Sequence, residues 1–170
     1  MRTLNRIPTA ILIAVLGALV FAYIAQYALG VEPCSLCIYQ RYAFATVMAC
    51  AFFAALSKRV YPAILLIMTL VAGLSLSVYH VGVENKLWPA PARCASATLM
   101  SATQTDLTYE DKIALIKEQL STRKPVACDQ VNWRILGVSV TVWIGLLWSL
   151  LVTLGGYHLW ITLRKNKSTL

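Results

Sequence analysis

The stretch GVEPCSLCIYQRYAFATVMACAFFAALS, residues 30–57, changes character part-way along. It opens with a glycine, an acid, a proline and two cysteines spaced as CxxC, and from Ile38 it runs on to Leu56 as an apolar segment whose one charge is Arg41. A helix needs about 20 mostly apolar residues, at ~1.5 Å each, to cross a ~30 Å hydrocarbon layer. The segment at 38–56 has that length, and so do 7–29, 60–79 and 137–163. Backbone groups in lipid must be paired within a segment or around a closed barrel, and no apolar-polar alternation marks barrel strands here. The expected fold class is therefore all-α, an integral membrane four-helix bundle, with the whole chain 1–170 as one transmembrane domain.

Composition agrees, since 59% hydrophobic and 13% charged residues exclude an ordinary soluble domain. The leader MRTLNR resembles the start of a signal peptide, but the apolar run after it exceeds the ~7–15 residues of such a segment and reads as a retained anchor.

Four spans put both termini and the turn at 57–59 on one side, and loops 30–37 and 80–136 on the other. The first side carries Arg2, Arg6, Lys58, Arg59, Arg164, Lys165 and Lys167 and no acid. All seven acids, Glu32, Glu84, Asp106, Glu110, Asp111, Glu118 and Asp129, fall on the second, roughly balanced by Lys86, Arg93, Lys112, Lys117, Arg123, Lys124 and Arg134. This is a positive-inside pattern with cytoplasmic termini. The net charge of +8 is thus a topology signal, and its division into short caps excludes a nucleic-acid-binding stripe. Tyr27, Tyr39, Tyr42 and Tyr79 mark outer span ends and Tyr61, Tyr157 and Trp160 inner ones, as headgroup-level aromatics do, whereas Trp143 and Trp148 read as packing residues.

The outer segment 80–136 exceeds the ~12–15 residues of a plain connection. Its opening, LWPAPARC at 87–94, cannot form a regular helix because of Pro89 and Pro91, so it reads as an extended strip carrying Cys94. Further on, Tyr109, Ile113, Ile116 and Leu120 recur at helical spacing behind a Thr108/Asp111 capping-box pair. They predict a short amphipathic helix lying on the membrane or packing on the loop itself.

Four of the five cysteines, Cys34, Cys37, Cys94 and Cys128, lie on the outer side, and the outer face of a bacterial inner membrane is an oxidising compartment. Cys50 is mid-span and reads as a small buried hydrophobe. Four thiols admit three pairings; the i, i+3 spacing lets Cys34 bridge to Cys37, which would leave Cys94 with Cys128. Zinc fits poorly, because Cys94 and Cys128 are far apart in sequence without a CxxC of their own, and no metal site is expected. A Cys94–Cys128 bridge would close a loop worth roughly 3–4 kcal/mol, whereas a CxxC bridge closes almost none. The use of Cys34 and Cys37 is therefore expected to be chemical. Pro33 suits a first helical position, which puts both thiols at a helix amino end where backbone N–H groups favour thiolate, and Arg41 lies one turn beyond Cys37. A charge there either anchors to lipid phosphate or stabilises an anion beside the thiols.

PCSLCIYQR at 33–41, four spans and two further outer cysteines together resemble the DsbB family of membrane thiol oxidases, as do YHVGVE at 79–84, WPAPARC at 88–94 and ACDQVNWRILGVS at 127–139. The resemblance implies a bacterial inner-membrane protein with redox-active disulfides Cys34–Cys37 and Cys94–Cys128. It implies that the protein reoxidises a periplasmic DsbA-like oxidoreductase of thioredoxin fold and passes the electrons to a membrane quinone, ubiquinone or menaquinone. By the same resemblance Cys37 forms the thiolate–quinone adduct or charge-transfer pair, and Arg41 and His80 lie beside the quinone head. Cys94 forms the mixed disulfide with the partner, and Cys128 communicates with Cys34. The segment between Cys94 and Cys128 is longer than in the best-known members. The competing reading is a non-enzymatic four-span scaffold with a disulfide-tied outer loop.

Overall fold

A computed structural model of the chain describes residues 2–57, 59–91, 127–128, 131 and 133–167. Cys94 and the expected amphipathic helix fall outside them. Four helices carry the fold: α1 (Arg2–Tyr27), α2 (Ser35–Leu56), α3 (Val60–Glu84) and α4 (Val140–Lys167). Each is long and apolar enough to cross a membrane. The short links 28–34 and 57–59 leave consecutive helices no choice but to run antiparallel. Helix α1 packs on α2 and α4, and α3 packs on the same two, which closes a ring of four.

The helix ends differ from the expected spans for local reasons. Helix α2 begins at Ser35 rather than near 38, with Cys34 as its N-cap; Pro33 therefore precedes the cap instead of occupying the first helical position. Helix α3 continues past Tyr79 to Glu84. It ends in a Schellman motif: Lys86, at φ 59°, turns the chain so that the Leu87 N–H reaches Gly82 O at 2.8 Å and the Lys86 N–H reaches Val83 O at 3.0 Å. Gly82 is required there, because a Cβ would fall 2.0 Å from the Trp88 ring that folds back over it.

Helix α4 starts at Val140, not 137, because the residues before it form a hairpin that the sequence did not announce. Strand β1 (Arg134–Ile135) pairs antiparallel with β2 (Val138–Ser139) across Leu136 and Gly137, both at positive φ. Ser139 then caps α4, its hydroxyl accepting from Thr141 N at 3.3 Å.

The centre and inner half of the bundle are close-packed. Ile11, Val15, Val47, Ala51, Leu66, Leu70 and Leu151 are buried around Trp148, whose ring stacks on Phe44 with centroids 4.4 Å apart. Gly73 makes this possible, since a Cβ there would lie 2.2 Å from the Trp148 ring. Cys50 joins this core as expected. Trp143 does not: it is half-exposed and donates from Nε1 to Ile135 O at 3.3 Å. Outward faces carry Ile13, Leu16, Val20, Phe52, Phe53, Leu65 and Met68, apolar side chains exposed to what lipid would cover.

Candidate functional site

The end of the bundle expected to face outward, called the outer end below, is built around the amino end of α2. Cys34 caps that end with its sulfur, which accepts from Cys37 N at 3.3 Å, and this capping bond brings the two side chains to the same side of the first turn. Their sulfurs stand 2.8 Å apart. From α3, the Nε2 of His80 lies 3.6 Å from the Cys34 sulfur. Helix α3 could not place it there if it stopped at Tyr79; the extra turn to Glu84 is what makes His80 a buried core residue instead of an interfacial one. Cys128 is buried in the same cluster and hydrogen-bonds Cys34. Three of the four outer cysteines expected to matter are thus in one place.

The backbone N–H at the helix end acts on Cys34 in the direction the sequence suggests, but it does not set the outcome there. The bond with Cys128 pulls its pKa down, but the contact with Cys37 and burial outweigh that bond and push it up to about 12. Cys34 is thus a thiol held protonated at ordinary pH.

Arg41 does not snorkel to solvent. It reaches across to α1, donating from Nη1 to Gln26 Oε1 and from Nη2 to Ala22 O at 3.2 Å, with its guanidinium over the Tyr23 ring at 5.0 Å. Those partners fix its direction and satisfy part of its donor fork inside the bundle. Between α1, α2, α4 and the last turns of α3 lies a cavity of about 330 Å³, lined by Cys34, Cys37, Arg41 and His80 together with apolar side chains such as Ala18, Phe44 and Leu147. Its outer side is covered by Trp133, which stacks on Phe21 of α1 at 5.8 Å, and by the β1–β2 hairpin. Glu84, at the end of α3, accepts from the Thr141 hydroxyl in the first turn of α4 and ties the two helices together at the cavity rim.

Sequence reading did not find Gln26, Gln40, Glu84 or Trp133 as parts of this site. The signal for the first three was simply that they are polar residues inside or at the end of spans, where such residues are costly and tend to face the interior. The sulfurs of Cys34 and Cys37 and a ring nitrogen of His80 also lie within 4.8 Å of one another, a possible metal-ligand set among the described residues. A closed structural zinc site takes four ligands.

With this geometry in place, comparison with known proteins is decisive. The family model for disulfide bond formation protein DsbB matches residues 5–161. The chain belongs to the DsbB family. It is 30% identical over 157 residues to disulfide bond formation protein B of Marinobacter nauticus, covering 88% of this chain and 86% of that protein. It is also 30% identical to the protein of the same name from Xylella fastidiosa over 133 residues, 75% of this chain and 73% of that one. An uncharacterized protein of Rickettsia prowazekii is 30% identical over 126 residues, 73% of this chain and 69% of its own length. DsbB membership and four membrane-spanning helices make this a multi-pass inner-membrane, disulfide-generating oxidoreductase with redox-active cysteines. They do not favour the non-enzymatic scaffold.

Proposed function

We propose that this protein reoxidises a periplasmic thiol oxidoreductase of the DsbA kind and delivers the electrons to a membrane quinone, working as one transmembrane unit with both termini in the cytoplasm. The observation that supports the reading is a cavity whose lining includes Cys37, Arg41 and His80 together with the Cys34–Cys37 contact. A quinone fits such a site: its ring and tail are apolar, its oxygens need donors, and the cavity is mostly apolar with Arg41 and a buried unpartnered amide, that of Gln40, on its lining. Bound there, it would supply a two-electron, two-proton acceptor.

The chain's own residues then divide the work. The partner's thiolate attacks Cys94 of a Cys94–Cys128 disulfide, a mixed disulfide forms at Cys94, and Cys128 leaves as thiolate. Cys128 attacks Cys34 of the Cys34–Cys37 disulfide, and Cys37 leaves as thiolate at the amino end of α2. Cys128 already contacts Cys34, so the exchange needs no rearrangement of the bundle. The partner's second thiolate then attacks the partner sulfur of the mixed disulfide, which leaves the partner oxidised and frees Cys94 as thiolate; Cys94 attacks Cys128, which re-forms the Cys94–Cys128 disulfide and frees Cys34. Closure of Cys34 and Cys37 back to a disulfide then gives two electrons and two protons to the acceptor, and His80, beside Cys34, is positioned to take the Cys34 proton. Arg41, held by Gln26 and Ala22, keeps positive charge on the cavity side of Cys37. The scheme uses no metal.

The test is turnover: purified protein is mixed with a reduced thioredoxin-fold partner and a soluble quinone, and quinone loss is followed spectroscopically. Steady loss that disappears in Cys34→Ser supports the relay. Full turnover in Cys34→Ser would rule it out.

A further inference from the structure

Gln40 is a polar side chain that takes no step in the relay above. It lies on α2 between Cys37 and Phe44, is only 2% exposed, and lines the cavity. Among the described residues, neither its Nε2 nor its Oε1 has a hydrogen-bond partner. Its neighbour Arg41 turns away to Gln26 and Ala22 on α1, so the guanidinium does not serve the amide. Buried polar groups are nearly always hydrogen-bonded, and inside a membrane bundle no bulk water compensates an amide that loses both its donor and its acceptor. An amide left in this state on a cavity wall is matched to something that enters the cavity.

We propose that Gln40 hydrogen-bonds a ring oxygen of a para-quinone in this cavity, its Nε2 donating to the carbonyl of the oxidised ring and its Oε1 accepting from the hydroxyl of the reduced ring. This rests on the quinone reading above, which counts Gln40 among the lining, and assigns its two polar atoms to the two oxidation states of the ring. A neutral amide suits the role because it carries both a donor and an acceptor, whereas a carboxylate only accepts and a guanidinium only donates. Gln40 can therefore hold the ring in either oxidation state without gaining or losing a proton itself.

The experiment uses the full chain in detergent micelles with a benzoquinone carrying a decyl tail. Affinity is read from quenching of tryptophan fluorescence, since Trp133 and Trp143 line the same cavity. The infrared carbonyl band of the bound probe reports its hydrogen bonding. Gln40→Leu, near in volume and without polar atoms, should weaken binding roughly tenfold, the size of one neutral hydrogen bond. It should also move the bound carbonyl band to higher frequency. The thermal midpoint of the quinone-free variant should equal or exceed that of the parent, because an unpaired buried amide has been removed; a merely structural glutamine would lower it. Equal affinity and an unmoved band in Gln40→Leu would overturn the inference while leaving the quinone reading intact. Absence of probe binding by the parent protein would overturn both. Should the leucine variant fail to fold, Gln40→Met carries the same comparison.

Discussion

The two ends of α2 do opposite things with the same helix. Toward the inner side, Val47, Ala51 and Ala54 disappear into a close-packed interior against Leu66, Leu70 and Leu151, with glycine and alanine letting large rings fit. Toward the outer side, Cys34, Cys37, Gln40 and Arg41 face a cavity, and among the described residues both polar atoms of Gln40 lack partners on its wall. Interiors at native density gain dispersion contacts on every side, and a cavity wall forgoes them. Stability is thus concentrated in one half of the bundle, and the other half keeps the space and the polar groups that its chemistry needs.

The largest effect should come from the outer half. Cys37→Ser is expected to reduce quinone turnover to below roughly one thousandth, as loss of an essential nucleophile does, while the thermal midpoint in detergent stays close to that of the parent. A midpoint that collapses with activity would mean that the two halves are not separable. The complementary change is Trp148→Ala, which empties the stack on Phe44 and the space that Gly73 leaves for the ring. It should destabilise by about 3–5 kcal/mol in chemical unfolding, with Cys34 and Cys37 still able to close into a disulfide in the folded fraction. Loss of thiol chemistry without loss of stability would break the comparison from the other side.

A smaller effect sharpens the difference between the two thiols themselves. Against the lowering bond with Cys128, the contact with Cys37 and burial raise the pKa of Cys34, and a raised thiol pKa means that the protonated, unreactive form persists to higher pH. In the reduced protein, alkylation at Cys34, followed by mass spectrometry, should still be climbing at pH 10, where an ordinary thiol of pKa ~8.5 has levelled off. A plateau at Cys34 by pH 9 would contradict the burial argument. The smallest effect concerns Leu136, exposed at the hairpin tip with φ 54°, a conformation that costs a leucine but not an asparagine. Leu136→Asn creates the Asn-Gly pair that such turns prefer and should stabilise by under about 1 kcal/mol, visible as a small rise in thermal midpoint.

The four helices could be read from the sequence because lipid imposes one dominant constraint, a long apolar run. What that constraint says nothing about is where the run ends. Helix α3 extends to Glu84 because Gly82 accepts Trp88 and Lys86 adopts a left-handed turn, neither of which hydropathy records. RILGVS hid a hairpin because its turn is Leu-Gly, without the asparagine or aspartate that would have marked it. The CxxC pair and Arg41 stood out by spacing and by charge in an apolar setting. Gln40 stood between them unread, since one neutral amide in a span has no period or motif, and only the unpartnered atoms on the cavity wall distinguish it. Cys94 lies outside the described residues, so its place in the relay rests on the resemblance.

The Trp133 ring stacked on Phe21 fixes a point of the outer loop to α1, and Cys128 is tied to that point by five residues of chain. Fully extended, five residues reach about 17 Å. That length is the upper limit on how far the Cys128 backbone can stand from the Trp133 anchor. In the proposed relay, a limit of this size would make the transfer between the two cysteine pairs an intramolecular event at high effective concentration.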